Sequence, residues 1–250
     1  LSRGLGDVYK RQGYDVGINY NKTPEGAQSV AEECRRYGVD AQIYQCDVGR
    51  RDQCERMLNA FINHFGRIDV LVNNAGGALK MPKGGFVDMP MDYWDEQIAL
   101  NLNSAAYCSQ LAARCMIEKG IHGSIINISS IHSLVTWVKR KALPYSAGKA
   151  GMNMFTKSIG VELIKYGINV NCIAPGLVYT KIMDRYSERD IRGFERKIPA
   201  GRGGTVDDIV PMIQFLADKK KSSFIVGQTI FIDGGQSIDG VIDCMLEDEI

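Results

Sequence analysis

The sequence has almost no excess of charge of either sign. Among its 250 residues, 30 Lys+Arg oppose 29 Asp+Glu, so the formal net charge is +1 at pH 7. Proteins that bind nucleic acids or anionic membranes usually carry a basic excess, which this chain lacks. It also lacks an uncharged apolar run of the roughly 18 residues that a membrane-spanning helix needs. We therefore expect neither a nucleic-acid partner nor a membrane partner.

Paired cysteines are missing as well. The seven cysteines are scattered singly and form neither a CxxC pair nor a metal-ligand spacing. An odd, scattered set in a chain of this size is typical of thiols in a reducing compartment. We expect a cytoplasmic protein without a disulfide framework and without a metal site.

The chain also has no internal repeat and no Pro- or Ser-rich linker. Its length corresponds to one large domain or two small ones. The hydrophobic content of 45% and the charged content of 24% are typical of a globular protein. We expect a single domain over residues 1–250.

Short β-branched runs alternate along the chain with longer amphipathic stretches. The runs are Asp15–Tyr20, Ala41–Cys46, Ile68–Asn73, Ser124–Ser129, Ile168–Ile173 and Thr229–Asp233. The helical patterns are Pro24–Tyr37, Arg51–Phe65, Asp92–Glu118, Ser146–Tyr166 and Thr205–Ala217. This alternation predicts parallel βαβ units, and mostly apolar runs indicate strands covered on both faces. The predicted fold is α/β, a Rossmann-type doubly wound parallel sheet that binds ligands at the carboxyl ends of its strands.

The start of the chain lacks a strand that such a fold requires. Gly4 and Gly6 look like the second half of a dinucleotide-binding glycine turn, but no apolar strand precedes them. Only Asp7–Gln12 then separates Gly6 from Gly13, whereas a crossover connection needs about a dozen residues. We expect that the true start is missing and that Asp7–Gln12 is foreign. A shortened, divergent entry helix is the alternative.

Tyr145 and Lys149 form the sharpest chemical motif. Residues four apart on a helix share one face, about 5–6 Å apart at Cβ, so the spacing places a phenol beside an ammonium group. Because a nearby cation stabilises phenolate, we expect the pKa of Tyr145 to fall below its reference of about 10. Such a tyrosine exchanges a proton with a carbonyl or alcohol oxygen near neutral pH. Upstream, Ser130 follows a predicted strand, at the ligand-binding edge of the sheet.

These residues and further motifs resemble the short-chain dehydrogenase/reductase family. The resemblance runs from Gly13 to about Gly235. It rests on five ordered motifs: Asn73–Gly76, Asn101 within Ala99–Leu102, Ser130 with Tyr145 and Lys149, Pro175–Thr180, and Asp233–Gly235. It implies an NAD(P)(H)-dependent oxidoreductase that interconverts a carbonyl and a secondary alcohol, with seven parallel strands in one layer.

The resemblance also implies catalytic roles. Tyr145 would be the general acid/base, Lys149 would lower the pKa of Tyr145 and bind the nicotinamide ribose, and Ser130 would polarise the substrate carbonyl. Asn101 would hold a water that connects Lys149 to solvent.

The interval of fifteen residues from Ser130 to Tyr145 is longer than is common in this family. The basic run Lys139–Lys141 marks a candidate insertion within it. Ser129 is the less favoured catalytic serine, and Ser133 is the fallback.

The residues that follow the second strand of the family fold predict which cofactor is preferred. NAD-preferring members usually carry an acid there, whereas Asn21 and Lys22 follow Tyr20 here. Arg3 lies beside Gly4, where NADP-preferring relatives carry a base. We expect NADP(H) to be preferred, with NAD(H) possible. Further cofactor contacts implied by the resemblance are Gly4, Gly6, Asp47, Val48, Asn74, Ala75, Gly76, Tyr145, Lys149, Pro175, Gly176, Val178 and Thr180.

Two substrate classes compete. Ser130 with His132, followed by Trp137, is similar to bacterial glucose 1-dehydrogenases, so that His132 and Trp137 would contact a sugar or polyol. The alternative is a 3-oxoacyl-[acyl-carrier-protein] reductase, although the positions that hold carrier-binding arginines look like Ile121 and Tyr166. A non-catalytic dinucleotide-binding protein is the alternative of another class.

Two long helices and one loop complete the expectations. Residues 182–198 should form a substrate lid, whose four arginines we interpret as a solvated face. The stretches Asn103–Glu118 and Ser146–Tyr166 carry small residues on their faces, and family members usually associate through such helices. We expect a homotetramer or a homodimer.

Overall fold

The six apolar runs form six β-strands. The structure is a computed structural model, and it describes residues 13–79, 82, 85–136, 143–180, 183 and 186–238. Its strands are β1 (Val16–Tyr20), β2 (Ala41–Gln45), β3 (Val70–Asn73), β4 (Ser124–Ile128), β5 (Asn169–Pro175) and β6 (Thr229–Ile232). Each lies at one of the predicted positions, with small differences at its ends.

Helices separate the strands, as the amphipathic patterns predict. They are α1 (Glu25–Arg36), α2 (Arg51–Phe65), α3 (Met91–Ile98), α4 (Ser104–Glu118), α5 (Leu143–Leu163), α6 (Glu188–Glu195), α7 (Val206–Ala217) and α8 (Lys219–Ser222). The pattern Asp92–Glu118 is not one helix, because a π-helical segment, Ala99–Asn103, separates α3 from α4. Short 3₁₀ turns follow β4 at Ile131–Ser133 and α5 at Ile164–Tyr166.

Every strand pair among the described residues is parallel, in agreement with the predicted α/β fold. The strands form one sheet of order β1-β2 and a second sheet of order β3-β4-β5-β6. The expected single layer of seven strands is therefore not what the described residues form. In a usual doubly wound sheet of order 3-2-1-4-5-6, the strand that comes first in the chain lies in the middle and joins the two halves. Among the described residues, no strand occupies that middle position, which would lie between β1 and β3 of this structure.

Helices cover both faces of the larger sheet. Ile125 of β4 packs with Leu58 of α2 and Met116 of α4 in one buried cluster. Its neighbour Ile126 points to the opposite face and packs with Ile209 and other residues of α7, because successive side chains of a strand alternate between faces. A third cluster joins α1 to β1 and β2. The doubly wound architecture follows from this two-sided burial. None of the described helices is long and apolar enough to cross a membrane.

Candidate active site

Ser130 and Tyr145 meet at the carboxyl end of β4. Ser130 begins the 3₁₀ turn after the strand, and its Oγ accepts a hydrogen bond of 3.2 Å from the backbone N–H of His132. The side chains of Ser130 and Tyr145 are hydrogen-bonded to each other. The longer interval between them therefore still brings the two hydroxyl groups together.

The two alternative serines are engaged elsewhere. Ser129 is buried, and its hydroxyl donates to the backbone carbonyl of Lys149 at 3.0 Å. Ser133 donates to the carbonyl of Ser130 at 2.6 Å and accepts from Asn153 at 2.8 Å. Ser130 is the serine whose side chain contacts Tyr145.

Glycines let α5 approach the rest of the site closely. A Cβ on Gly148 would lie 3.2 Å from Cβ of Asn101, and one on Gly151 would lie 2.9 Å from Cδ2 of Leu102. Because neither glycine carries a side chain, α5 packs against the π-helical segment and places Tyr145 and Lys149 beside Asn101. The glycine within Tyr145–Lys149 therefore has a packing role.

Lys149 is buried beside Tyr145 without bonding to its hydroxyl. Its Nζ lies 5.8 Å from the centroid of the Tyr145 ring and donates to the carbonyl of Ile128 at 2.7 Å. Burial lowers the pKa of Lys149 to about 8, because the desolvated ammonium group is disfavoured.

The expectation that Lys149 lowers the pKa of Tyr145 was wrong for this structure. Burial raises the pKa of Tyr145, and the hydrogen bond to Ser130 opposes that rise in part. Desolvation disfavours the phenolate and is the larger of these two causes. The hydroxyl is therefore a proton donor at neutral pH.

Asn101 joins the π-helical segment to the loop after β3. It is fully buried, its Nδ2 donates to the carbonyls of Gln97 and Gly77 at 3.0 Å each, and its Oδ1 accepts from the N–H of Gly77 at 2.9 Å. A π-helical turn inside a helix often occurs at a functional site. Here it leaves the amide free to fix the Asn73–Gly77 loop.

The loop after β3 offers a cradle next to these side chains. A Cβ on Gly76 would lie 3.0 Å from Oδ1 of Asn101 and 3.2 Å from Nζ of Lys149. Oδ1 of Asn74 is buried and has no hydrogen-bond partner among the described residues. A hydroxyl-bearing ligand seated here would satisfy that oxygen, so the loop fits the ribose of a dinucleotide.

The smaller sheet presents its own polar edge. Asn21 and Lys22 are exposed just after β1, and Asp47 follows β2 closely. Oδ1 of Asp47 accepts from the N–H of Gly49 at 3.1 Å, and the buried Val48 accepts from the Cys54 thiol at 3.2 Å. Parallel strands end at the same edge, so these residues lie together at the carboxyl end of the β1-β2 sheet.

The segment after β5 is held by close backbone contacts. The N–H of Gly176 donates to the carbonyl of Ile232 at 3.0 Å, and a Cβ on Gly176 would lie 2.8 Å from Cα of Asp233. Val178 forms a parallel bridge with Gly204. Pro175 and Thr180 belong to the same segment, which leaves the sheet at its carboxyl edge.

His132 packs edge-on against Tyr145. Their ring centroids are 6.0 Å apart at an interplanar angle of 68°, and Nδ1 of His132 lies 3.2 Å from the carbonyl oxygen of Val135. Burial lowers the pKa of His132, which favours a neutral imidazole at this position. The residues Arg3, Gly4, Gly6 and Trp137 lie outside the described residues.

Two features of the site escaped the sequence reasoning. One is the bond of Asn101 to Gly77, which has no sequence signal besides the second glycine of Gly76–Gly77. The other is Tyr179, whose hydroxyl contacts Glu195 and Gly203. It belongs to the motif Pro175–Thr180, in which the sequence indicated a role for other residues but not for Tyr179. Within the described residues, no group of His, Cys, Asp or Glu is arranged to hold a metal ion.

Comparison with known proteins decides the family. A family model described as enoyl-(acyl carrier protein) reductase matches residues 1–237. The chain is 36% identical to an uncharacterized oxidoreductase, YohF, of Escherichia coli over 90% of this chain and 87% of that one. It is 36% identical to the 3-oxoacyl-[acyl-carrier-protein] reductase FabG of Staphylococcus aureus over 94% of both chains. The chain belongs to the short-chain dehydrogenase/reductase family.

Solved structures of other short-chain dehydrogenases/reductases superpose closely. An acetoin dehydrogenase from Enterobacter cloacae has a TM-score of 0.84 at 32% identity and covers 96% of this chain and 92% of its own. A gluconate 5-dehydrogenase from Burkholderia cenocepacia, solved in complex with NADP and tartrate, has a TM-score of 0.84 at 31% identity, with 95% and 91% covered. This short-chain dehydrogenase/reductase is thus an NAD(P)-dependent oxidoreductase.

Proposed function

We propose that this enzyme interconverts a carbonyl and a secondary alcohol on a small sugar or polyol, with NADP(H) as the preferred cofactor. The observation that carries the proposal is the hydrogen-bonded pair Ser130–Tyr145 beside the buried Lys149 at the carboxyl end of β4. Two adjacent hydroxyl groups can both donate hydrogen bonds to the oxygen of a carbonyl group as it is reduced to an alcohol.

In the reducing direction, Tyr145 donates its proton to the carbonyl oxygen, and Ser130 donates a hydrogen bond to the same oxygen as negative charge develops there. A nicotinamide cofactor held by these residues would supply the hydride for the carbonyl carbon. Tyr145 is left as phenolate beside Lys149, and its proton is restored through Lys149 and a water held near Asn101. The raised pKa of Tyr145 keeps the phenol protonated at neutral pH, which is the form that the reducing direction needs.

The residues that would bind the cofactor lie at the carboxyl ends of the strands in both sheets. Asn74, Ala75 and Gly76 would line the adenine-side ribose, and Asp47 and Val48 would contact the adenine. Toward the nicotinamide, the ribose would bind Tyr145 and Lys149. The ring itself would lie against Pro175, Gly176, Val178 and Thr180. Support comes from the unpartnered Oδ1 of Asn74 and from the absence of a side chain at Gly76, where a Cβ would lie 3.0 Å from Oδ1 of Asn101 and 3.2 Å from Nζ of Lys149.

The preference for NADP(H) rests on Asn21 and Lys22. A 2′-phosphate at this edge meets an exposed cation and no carboxylate immediately after β1. We expect Asn21→Asp to lower the ratio of kcat/KM for NADPH over NADH by about ten- to a hundredfold, the size of one charge-assisted hydrogen bond. Lys22→Ala and Arg3→Ala should lower it in the same direction.

The matched control for cofactor choice is Arg36→Ala, at the end of α1 remote from this edge, which should leave the ratio unchanged. Higher kcat/KM for NADH in the parent enzyme would contradict the preference.

The sugar or polyol class is supported by the gluconate 5-dehydrogenase neighbour and by His132 and Trp137 in the loop after β4. The FabG relative supports the second candidate, reduction of a 3-oxoacyl chain on an acyl carrier protein. Lys119 and Lys165 lie near Ile121 and Tyr166 without occupying those positions. A panel of sugars, polyols, acetoin and 3-oxoacyl thioesters separates the candidates by kcat/KM.

The decisive variant for the proposed chemistry is Tyr145→Phe. Loss of general acid catalysis should lower kcat by about 10²–10⁴-fold, while the Kd for NADPH stays close to that of the parent. Tyr166→Phe, an exposed tyrosine just after the same helix, is the control and should retain full activity. Near-parental turnover in Tyr145→Phe would remove the proposed mechanism, and a parent that binds NADPH without any turnover would favour the non-catalytic alternative.

We further propose a single domain over residues 1–250, with residues 182–198 as the substrate lid. We also propose a homotetramer assembled through α4 and α5, with a homodimer as the simpler form. A cytoplasmic location is supported by the cysteines: the six within the described residues are all buried thiols that form no disulfide.

A further inference from the structure

Tyr179 occupies a junction of three segments. Its N–H donates to the carbonyl of Gly204 at 2.8 Å, and the N–H of Gly204 donates to the carbonyl of Leu177 at 2.8 Å. These bonds fix the chain just after β5 to the loop before α7. The backbone of Tyr179 is thus anchored on a rigid support.

The side chain of Tyr179 extends this junction to α6. Its hydroxyl accepts a hydrogen bond of 2.9 Å from the N–H of Gly203 and donates to Oε1 of Glu195. A Cβ on Gly203 would lie 2.8 Å from Cζ of the tyrosine ring, so glycine at 203 is what lets the ring lie on the loop. The hydroxyl therefore bridges a fixed backbone amide and a carboxylate on the helix.

The support beneath Tyr179 is itself braced. Arg202 forms two hydrogen bonds to the carboxylate of Asp208, at 2.8 and 2.9 Å, and donates to the carbonyl of Gly203 at 2.9 Å. Asp208 in turn accepts from the N–H of Thr205 at 2.7 Å at the start of α7. The loop before α7, to which Tyr179 is bound, cannot move without breaking these bonds.

By contrast, α6 has little hydrophobic attachment. None of its eight residues is buried, and the nearest buried side chains on either side are Met183 and Ile198. Its apolar attachment comes from half-buried side chains such as Phe194, whose ring packs edge-on against Tyr186 at 5.2 Å. Half-buried side chains contribute less than fully buried ones, so a hydrogen bond to a charged acceptor adds substantially to the docking of α6.

We propose that Tyr179 is a positioning residue that docks α6, a part of the proposed substrate lid, onto the loop before α7 through Glu195. Tyr179 lies between Val178 and Thr180, so one segment would contact both the cofactor and the lid. This proposal rests on the proposed function for its effect on substrate. The docking of α6 by the Tyr179–Glu195 bond can be tested without turnover.

Limited trypsin digestion measures that docking, because Arg189, Arg192 and Arg196 are exposed cleavage sites on or beside α6. Cleavage of a transiently opened segment follows the population of the open form. We expect Glu195→Ala to speed cleavage within residues 189–197 by about tenfold, the loss of one charge-assisted hydrogen bond. Tyr179→Phe, which also removes the bond from the N–H of Gly203, should speed cleavage at least as much. The double variant should add little to Tyr179→Phe, because both changes remove the same Tyr179–Glu195 bond.

Two matched variants guard this result. Glu195→Gln retains an acceptor oxygen without the charge, so it should be cleaved more slowly than Glu195→Ala. Glu188→Ala removes a carboxylate that is 90% exposed on the same helix and lies 3.5 Å from Arg192, so it should leave cleavage after Arg196 unchanged. Parental cleavage of Glu195→Ala, or equally fast cleavage of Glu188→Ala, would overturn the docking.

Kinetics test the positioning role. In Glu195→Ala we expect the KM for the carbonyl substrate to rise between about two- and tenfold at constant kcat, since apparent affinity falls with the closed fraction, and Glu195→Gln should restore it in part. Faster cleavage with unchanged KM would overturn the positioning role. A parent enzyme without turnover would instead overturn the proposed function and its substrate effect, and the digestion would still decide whether the bond docks α6.

Discussion

Lys149 holds its ammonium group where water does not reach it. The residue is 3% exposed, and its hydrogen bond to the carbonyl of Ile128 does not replace the lost hydration, so burial lowers its pKa to about 8. In the unfolded chain the same group titrates near 10.5. The folded state therefore carries a cost whenever Lys149 is protonated.

We predict that Lys149→Met raises the free energy of unfolding at pH 7 by up to about 3 kcal/mol, because one pKa unit corresponds to about 1.4 kcal/mol. Below pH 8 the lysine is protonated in both states and the full cost is present. Between pH 8 and 10.5 the unfolded state binds more protons, so the parent gains stability and the difference shrinks. Urea unfolding at several pH values measures it.

The control for this prediction is Lys157→Met, which replaces an exposed lysine on the same helix. It should show no such pH-dependent difference. A constant difference for Lys149→Met across pH 7 to 10.5 would contradict the buried-ammonium account.

The sequence predicted which side chains lie together at the end of β4, while their catalytic roles stay predictions. Spacing places Tyr145 beside Lys149, and the end of a strand places Ser130 at the ligand edge. The direction of the Tyr145 pKa shift was wrong because it depends on how much water tertiary packing removes, and a spacing of four residues contains no measure of that.

At the scale of the element, the break between α3 and α4 matters most. The amphipathic pattern continues from Asp92 to Glu118, so one helix was predicted, and the π-helical segment Ala99–Asn103 has no signature in apolar periodicity. The extra residue in that turn exposes the amide of Asn101 to Gly77. The sequence identified Asn101 through the family resemblance and could not identify its backbone partner.

We predict that Asn101→Ala lowers the free energy of unfolding by about 1–3 kcal/mol, because the N–H and carbonyl of the half-buried Gly77 lose their partner. The loop that would hold the adenine-side ribose should loosen, and the Kd for NADPH should rise by about tenfold. Calorimetric titration and urea unfolding measure the two effects. Asn103→Ala, in the same π-helical segment, is the control, and equal effects of both variants would argue against a specific role of Asn101.

At the scale of the whole molecule, α5 carries an uncovered apolar stripe. Met154 and Val161 are 61% and 75% exposed, and their spacing of seven residues places them on one face of the helix. In a homotetramer assembled through α4 and α5, such a stripe would be buried.

We predict that the parent sediments as a tetramer at micromolar concentration and that Val161→Lys dissociates it to smaller species, because a buried unpaired ammonium group is costly. Tyr37→Lys changes a side chain that is 59% exposed at the end of α1, away from that face, and should leave assembly intact. A parent that sediments as a monomer would contradict the proposed assembly.

The division of the described strands into two sheets has a consequence for cooperativity. Two-stranded sheets are marginally stable on their own, so β1 and β2 with α1 should open as a separate unit before β4 and β5 do. The proposed adenine contacts lie on the smaller sheet and the proposed nicotinamide contacts on the larger one. Bound NADPH would then couple two otherwise separable folding units, and hydrogen exchange should show its protection concentrated in β1 and β2. Equal protection of β1, β2, β4 and β5 would mean that the sheets already unfold as one.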